Sequence, residues 1–579
     1  MKESEEGSLK SWFVPFTTTK AISFVILIGF TVYFNVFFNG FVGDDNGQIL
    51  QNPLIHSLKN FPLFFKGSTL YLAEIGQSAG FYYRPLMSTF FALIYSVSGP
   101  TPFLFHLFQL TFHIVNCILV LLIFKRHLSL GLAFVLSLVF LVHPINNEVV
   151  VYISNFQEEL FAFFGLMALI TVKSKRFIYA SPIFLVLSLL SKETGFIFLP
   201  LTIMYYFLFV LRTKDNTRFL MIGSAIATLS YVLIRIVVGN TGLQTKFLYM
   251  STHATFIERL FTLPSILTYY LKMLLFPYPI AFGWYWVVHN PNFSNFAIPL
   301  IIVLLVLVFL TLPILKLLKK PKVLKEYLFF FSVLLLGVGI VSQIFPLDLT
   351  VADRWFYMPL FGILGMIGII LKNYSKSLKS FYLTRTTSIV LVVILLSLYA
   401  IISFSRTLNW SNSYTLCSHD VKVNTKSYIL EYCTSSELYN RKEYDKAQMH
   451  ALNAINLYPG YFLSWYTLGN SYYALGNSKK AEEAFQKTLE FNEFGLGSQE
   501  LALILAYNKD VEGVKKLTSK YLKILPNSSE LWYALALAYY QEGNQEKAVE
   551  ASEKAYKLEP TPITLKLYTR LKNNLPINF

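Results

Sequence analysis

What this chain has little of is charge. Asp, Glu, Lys and Arg make up 14% of its 579 residues, against about 25% in an ordinary soluble protein, while 54% are hydrophobic and 17% aromatic. That balance excludes a soluble fold for the bulk of the chain. A glycine-rich phosphate loop is lacking, which argues against a P-loop nucleotide hydrolase. Repeated halves and charges near mid-bilayer are lacking too, and a transporter would favour both. The three cysteines say little. Cys117 sits inside an apolar run as a small filler. Cys417 and Cys433 fall where oxidation is permitted, so a disulfide between them and two buried free thiols both stay open. The first apolar run follows Lys20 without a small-residue cleavage site, so it is expected to stay as a signal anchor. The final residues, Leu575 to Phe579, carry no retention or lipidation signal.

What is there, from residue 21 to residue 404, is a series of apolar segments of spanning length. Eleven spans are expected, at about 21–38, 102–124, 128–145, 157–172, 176–190, 194–211, 218–238, 295–318, 326–345, 355–371 and 385–404. Two further apolar stretches, 84–99 and 260–280, are read as interfacial or re-entrant. With residues 1–20 cytoplasmic, the inner segments and span ends carry 20 Lys and Arg. They include Lys2, Lys10, Lys125, Arg126, Lys175, Arg212, Lys319, Lys372 and Lys379. The outer side carries nine: Lys59, Lys66, Arg84, Lys192, Arg235, Lys246, Arg259, Lys272 and Arg354. This is the positive-inside pattern. The net charge of +16 therefore reports topology, and no nucleic-acid partner is expected. Counting both interfacial stretches as spans would move Lys125–Arg126 and its counterparts outside, which the charge rule disfavours. An odd number of spans places the region beyond residue 405 outside the cytoplasm.

After residue 405 the texture turns to Lys, Glu, Ala and Tyr at helical spacing. Residues 406–427 read as a linker, 428–562 as a repeat of 33 to 34 residues, and 563–579 as a tail. One unit shows Trp465, Leu468, Gly469, Tyr472, Ala481 and Phe485. A second shows Trp532, Leu535, Ala536, Tyr539, Ala548, Ala555 and Pro560. An earlier unit has Ala447, Ala451, Ala454 and Pro459 in register, and a degenerate one ends at Pro526. This is the tetratricopeptide (TPR) pattern, about four units stacking into an α-solenoid. Such an array offers a groove for peptide or protein, to which Tyr432, Tyr466, Tyr473 and Tyr540 are assigned; a purely stabilising module is the bland alternative.

In the eleven-span topology, the unusual polar residues gather on one membrane face. Asp44 and Asp45 come directly after the first span and begin a large outer loop, residues 39–101, which also holds Tyr82-Tyr83-Arg84-Pro85-Leu86. His143-Pro144, then Glu148, Asn155, Glu158 and Glu159, lie on the next outer segment. Ser191-Lys192-Glu193-Thr194 and Asp353-Arg354-Trp355 come later. Ionisable groups at a membrane surface are costly unless used. Adjacent carboxylates raise one another's pKa, so one can serve as a base. Each motif also has a bland reading. Lys192 and Glu193 can be a local ion pair, Asp353 and Arg354 a self-compensating pair, His143 a helix end, and Arg84 a headgroup anchor.

In this order the motifs resemble the transmembrane-and-TPR protein O-mannosyltransferases, of the GT-C fold of polyprenyl-phosphate-dependent glycosyltransferases. The resemblance covers nearly the whole chain, through the Arg406 to Trp410 approach to the repeats. It implies an all-α protein, a polytopic GT-C domain at 21–405 with the TPR solenoid after it. It implies an inverting transfer of a sugar, mannose first, from a polyprenyl phosphate to protein hydroxyls on the extracytoplasmic face. That face is periplasmic or external in a bacterium and lumenal in a eukaryote. Asp44 would be the general base and Asp45 its orienting or metal-binding neighbour. Arg84 and Arg354 would balance the departing lipid phosphate. His143, Glu148 and Asp353 would line the site, with Lys192 and Glu193 holding its wall. The implied partners are membrane lipids, the lipid-linked donor, and an acceptor protein or peptide in the TPR groove; a divalent metal is left open. The chain departs from the pattern in having few repeats, short outer loops, and Asp353 where relatives often carry Glu. A lipid or polysaccharide acceptor, or a non-catalytic TPR scaffold, are the alternatives.

Overall fold

The computed structural model describes residues 16–577 apart from 70, 73–76, 79–81, 175, 211–212, 239–253, 345, 379–384 and 493. Lys2, Lys10, Lys175, Arg212, Lys246 and Lys379, counted above for topology, lie outside the described residues. Among the described residues the fold is all-α, apart from a two-residue antiparallel ladder that pairs Tyr71 with Ser78 and Leu72 with Gln77 and a single antiparallel bridge between Trp284 and Val351. Two compact units part between Val423 and Asn424.

The first unit is built from α1 (Thr18–Val32), α2 (Pro85–Ser98), α3 (Pro102–Lys125), α4 (Leu130–Val142), α5 (Asn147–Val151), α6 (Phe156–Thr171), α7 (Ser181–Ser191), α8 (Phe198–Phe209), α9 (Lys214–Val238), α10 (Phe256–Leu275), α11 (Ile298–Leu317), α12 (Pro321–Val341), α13 (Tyr357–Leu378), α14 (Arg385–Asn409) and α15 (Ser413–Val423). Among the described residues, seven helical stretches can cross a membrane by length and composition, or eight if a bent pair is one span. Three of the eleven expected spans are shorter apolar helices, Thr18–Val32, Ile178–Ser191 and Glu193–Phe209. The stretch at 84–99 is a short helix as well, and α10 carries Glu258, Arg259 and Lys272 along its length.

The expected span at 128–145 is broken. Proline disfavours helical backbone in the residue before it, and α4 accordingly ends at Val142, with His143 extended and Pro144 opening a new turn. The chain bends by 50° between Leu130–Val142 and Pro144–Val151. Non-helical backbone at membrane depth persists only where protein satisfies it, and here it is satisfied. Asn146 Nδ2 donates to Phe140 O at 2.8 Å. Asn147 Nδ2 donates to Ser403 O at 2.9 Å and to Thr407 Oγ1 at 3.0 Å. Gln109 Nε2 donates to Tyr152 O at 2.8 Å. Residues 143–155 thus form a buried shelf across the helix ends, carrying Glu148, Tyr152 and Ser154.

The stretch expected as a linker, 406–427, is ordered instead. Arg406 completes α14, and Asp420 on α15 receives both of its terminal nitrogens, at 2.6 and 2.7 Å. Asp420 also accepts from Phe282 N at 2.9 Å. Burial alone would raise this carboxyl, but Arg406, His419 and the Phe282 amide together hold it below the ordinary carboxylate range.

The second unit pairs helices in sequence: α16 (Tyr428–Asn440) with α17 (Tyr444–Leu457), α18 (Phe462–Ala474) with α19 (Ser478–Phe491), α20 (Ser498–Tyr507) with α21 (Val511–Tyr521), and α22 (Ser529–Gln541) with α23 (Gln545–Leu558), closed by α24 (Pro562–Lys572). The repeat logic is local. Gly469 lies where a Cβ would come 2.7 Å from the Phe485 ring, so only glycine lets α18 and α19 approach. Ala447, Ala451, Ala454, Ala481, Ala548 and Ala555 are all fully buried on second helices. Trp465 Nε1 donates to Pro459 O at 2.8 Å, and Trp532 Nε1 repeats the bond to Pro526 O at 3.1 Å. The proline that ends one unit therefore also anchors the tryptophan of the next.

Candidate active site

The paired aspartates sit on a tight turn after α1, and the turn explains its own sequence. Gly43 has a φ of +53°, a region L side chains avoid. A Cβ there would also lie 3.1 Å from the Tyr152 hydroxyl. That hydroxyl accepts the Asp44 backbone N–H at 2.9 Å, fastening the turn to the shelf. On the other side, Gly43 N donates to Ser413 Oγ at 3.3 Å and Gly40 N to Ser411 O at 2.9 Å.

The two acids are not equivalent. Asp45 is 1% exposed. Its Oδ1 accepts from Ser154 N at 2.7 Å and Ser154 Oγ at 2.6 Å, and its Oδ2 accepts from Val42 N at 3.0 Å. Burial nonetheless pushes its pKa up to about 7, against the pull of Ser154 and Val42 and with help from the Asp44 charge. Asp44 is exposed. Its pKa is also raised, first by loss of bulk water around a group that the turn sets among dense protein; Tyr152, Arg354 and Arg84 oppose that rise, and Asp348 adds to it. An accessible carboxylate, made more basic by its surroundings and within the electrostatic reach of two guanidinium groups, is suited to accept a proton.

The cations around Asp44 each hold an acid, but not the neighbour expected from sequence. Lys192 pairs with Glu158, both deeply buried, and leaves Glu193. Glu193 turns instead to Arg84, 3.7 Å from its Nε, and accepts the Tyr83 N–H at 3.3 Å. Arg354 bonds Glu148 through Nη1 and, through its backbone N–H, Oε2 of the same carboxylate at 3.3 Å. Asp353 accepts the Tyr269 hydroxyl at 2.7 Å. The local pairs Lys192–Glu193 and Asp353–Arg354 are thus both replaced by long-range ones. Arg84 also lies over the Tyr82 ring, 4.5 Å from its centre, and its backbone N–H donates to Thr69 Oγ1 at 2.7 Å. Beside Glu193 a recess of about 400 Å³ opens, lined by Phe196, Tyr231, Val232, Arg235 and Ile236.

His143 is committed elsewhere. Its Nδ1 accepts from Ile145 N at 3.2 Å, which leaves Nε2 to donate to Leu274 O at 3.2 Å, and its ring packs on Tyr399 with centres 4.6 Å apart. With both nitrogens used, it caps the break after α4 and has no atom left for a substrate. Motif reading named Glu158 without giving it a role, and passed over Tyr152, Ser154 and Tyr269, which the structure also brings to the candidate site. Glu158, an acid at the first turn of a span, carried a signal; the others became visible only once the shelf had folded against the aspartate turn. A divalent metal fits poorly here. Asp45, the assigned metal neighbour, already has both oxygens engaged, and no three His, Cys, Asp or Glu side chains converge as ligands among the described residues.

Family profiles described as tetratricopeptide repeat match residues 462–494 and 529–562. A human protein named Protein O-mannosyl-transferase TMTC3 is 25% identical over 524 residues, an alignment covering 80% of this chain and 54% of the relative. The mouse protein of the same name is 24% identical over 80% of this chain and 54% of its own length. Protein O-mannosyl-transferase F38B6.6 of Caenorhabditis elegans is 24% identical, covering 76% of this chain and 63% of the relative. The chain spans about half the length of the first two. Among solved structures, the TPR protein YrrB, described as having an unusual peptide-binding site, is 18% identical, with a TM-score of 0.25 over 34% of this chain and 97% of its own. The similarity to proteins named O-mannosyl-transferases agrees with the resemblance drawn from the motifs.

Proposed function

We propose that this chain is an integral-membrane glycosyltransferase that moves mannose from a polyprenyl-phosphate donor to hydroxyl groups of protein on the extracytoplasmic face, with the TPR unit engaging the acceptor or a partner. The observation that carries the reading is the division of labour between the aspartates. Asp45 is bonded through both oxygens, and its neighbour Asp44 is exposed, with Arg354 and Arg84 near enough for their charges to favour its ionised form.

The chemistry rests on that arrangement. The acceptor hydroxyl gives its proton to an Asp44 oxygen while its own oxygen attacks the anomeric carbon. The bond from that carbon to the phosphate oxygen breaks on the opposite face, so configuration inverts, and the electron pair leaves with the lipid phosphate. Charge building on that phosphate is met by Arg84 and Arg354. Asp45 keeps Asp44 aimed through the clamp to Ser154, and Lys192 with Glu158 holds the wall. Relatives of similar sequence bear the name of this activity, which supports mannose as the sugar and protein as the acceptor. In the solenoid, Tyr432, Tyr466, Tyr473 and Tyr540 are assigned to acceptor or partner contact.

Transfer of label from radiolabelled polyprenyl-phosphate mannose to membrane protein tests the reading, with wild type beside Asp44→Asn and Asp45→Asn. Label from wild type that disappears in a folded Asp44→Asn variant supports it. Equal label from all three removes the aspartates from the chemistry. No label from any of them argues for another donor or for a scaffold.

A further inference from the structure

One buried acid has no part in the chemistry above. Glu159 stands next to Glu158 on α6, and the 100° step of a helix turns it from the cleft into the bundle. It is fully buried, and neither carboxylate oxygen has a hydrogen-bond partner. Asn116 on α3, also fully buried, donates from Nδ2 to the Glu159 carbonyl at 3.0 Å, and its Oδ1 is likewise without a donor.

The titratable groups around Glu159 do not neutralise it. Tyr33, Cys117 on α3 and Tyr357 on α13 lie within its electrostatic reach, and all three types are ordinarily uncharged at pH 7. The Tyr33 hydroxyl donates to Leu141 O at 3.2 Å. Both nitrogens of His113 are taken, by Tyr357 Oη and Leu141 O, each at 3.0 Å. The α7 helix carries no titratable side chain, and on α8 Tyr205 and Tyr206 bond His127 and Thr217.

An ionised Glu159 would therefore bury two acceptor-only oxygens with no donor to either, on a helix bonded to an Asn116 whose own Oδ1 also lacks a donor. An unpaired carboxylate in a membrane bundle is also among the costliest groups a protein can bury. One proton resolves both problems. We propose that Glu159 and Asn116 form a buried proton-binding site, in which Glu159 holds one proton at neutral pH and donates it to Asn116 Oδ1. Loss of that proton leaves a bare charge on the helix that also carries Glu158, just after the shelf residues that fasten the aspartate turn. The proton is thus a fixed constituent of the folded membrane unit.

Infrared difference spectra of the full chain in lipid test this, with wild type compared with Glu159→Gln and Asn116→Leu. A protonated-carboxyl C=O band should be present at neutral pH, vanish in Glu159→Gln, and move to higher frequency in Asn116→Leu, where the acceptor is gone. Glu159→Gln supplies an amide N–H in place of the acid O–H, so its Tm should stay within about 2 °C of wild type, while Glu159→Ala lowers it. A wild-type spectrum without the band at neutral pH overturns the proposal. So does a wild-type Tm that climbs with Na⁺ while that of Glu159→Gln does not, since the site would then hold a metal cation.

Discussion

At the scale of the residue, Asp44 and Asp45 look interchangeable in sequence and are opposites in the fold. Asp45→Asn keeps an acceptor for Ser154 but turns an amide N–H toward the Val42 N–H, so it should lose about 1–3 kcal/mol. The sign of its pH dependence is set by a folded pKa of about 7 against an ordinary 3.8. Between those values the folded state holds a proton that the unfolded state has released, so stability falls as pH rises through that window and is flat above it. Thermal melts from pH 4 to pH 8 should show this decline in wild type and a shallower one in Asp45→Asn. Asp44 gives a kinetic counterpart. As the proposed base it must be ionised, and Arg354 favours that form. Removing Arg354 alone would strand Glu148, costing about 3–5 kcal/mol, so the informative variant is Glu148→Gln with Arg354→Gln. Its acid limb in the pH–rate profile should move to higher pH; an unmoved limb would mean that Asp44 is not the titrating base.

Elements show why some of this was legible in sequence and some was not. Apolar runs and the TPR spacing are local periodicities, so helices and repeats could be drawn without knowing any partner. Residues of the candidate site were found one at a time, because an acid or arginine at the end of an apolar run stands out. Their pairing was not legible. Lys192 chose Glu158 over the adjacent Glu193, and Arg354 chose Glu148 over Asp353, because the shelf at 143–155 and the first turn of α6 after it bring those acids alongside. That shelf depends on a bend at His143-Pro144, which a hydropathy run smooths over. His143, read as lining the site, is instead the cap the bend requires. The turn that meets the shelf is equally constrained. Gly43→Ala should lower stability by about 1–3 kcal/mol and reduce transfer, since the new methyl meets the Tyr152 hydroxyl that fixes the Asp44 backbone. A Gly43→Ala protein with wild-type Tm and turnover would show that the turn is not the aiming device. In the repeats, Gly469→Ala should disturb stability alone, because the atoms nearest an added methyl there belong to the Phe485 ring inside the repeat.

For the membrane unit as a whole, polar contacts concentrate at two opposite ends of the helices. Asp44, Arg84, Glu148, Glu158, Lys192 and Arg354 gather where α1, α4 and α7 finish and α6 and α13 begin. At the far ends of α3 and α13, His127 Nδ1 lies 3.4 Å from Glu326, and Lys372 reaches the same carboxylate at 3.3 Å and the His127 carbonyl at 2.5 Å. The 24 residues of α3 run between these ends, about 36 Å at 1.5 Å per residue, which matches a hydrocarbon core of about 30 Å with modest tilt. The second cluster belongs to the Lys- and Arg-rich side, so the positive-inside rule predicts that it faces the cytoplasm and that the aspartate turn lies opposite. That orientation can be read directly with a membrane-impermeant maleimide on sealed cells or vesicles, against the wild-type background. Lys59→Cys, on the loop after the aspartates, and Lys487→Cys, in the repeats, should label from the extracytoplasmic side. Lys319→Cys, between α11 and α12, should label only after permeabilisation. Lys59 and Lys319 reacting from the same side would break the alternation on which the extracytoplasmic placement of the chemistry depends. Lys487 reacting only with Lys319 would put the repeats on the wrong side to present an acceptor to Asp44.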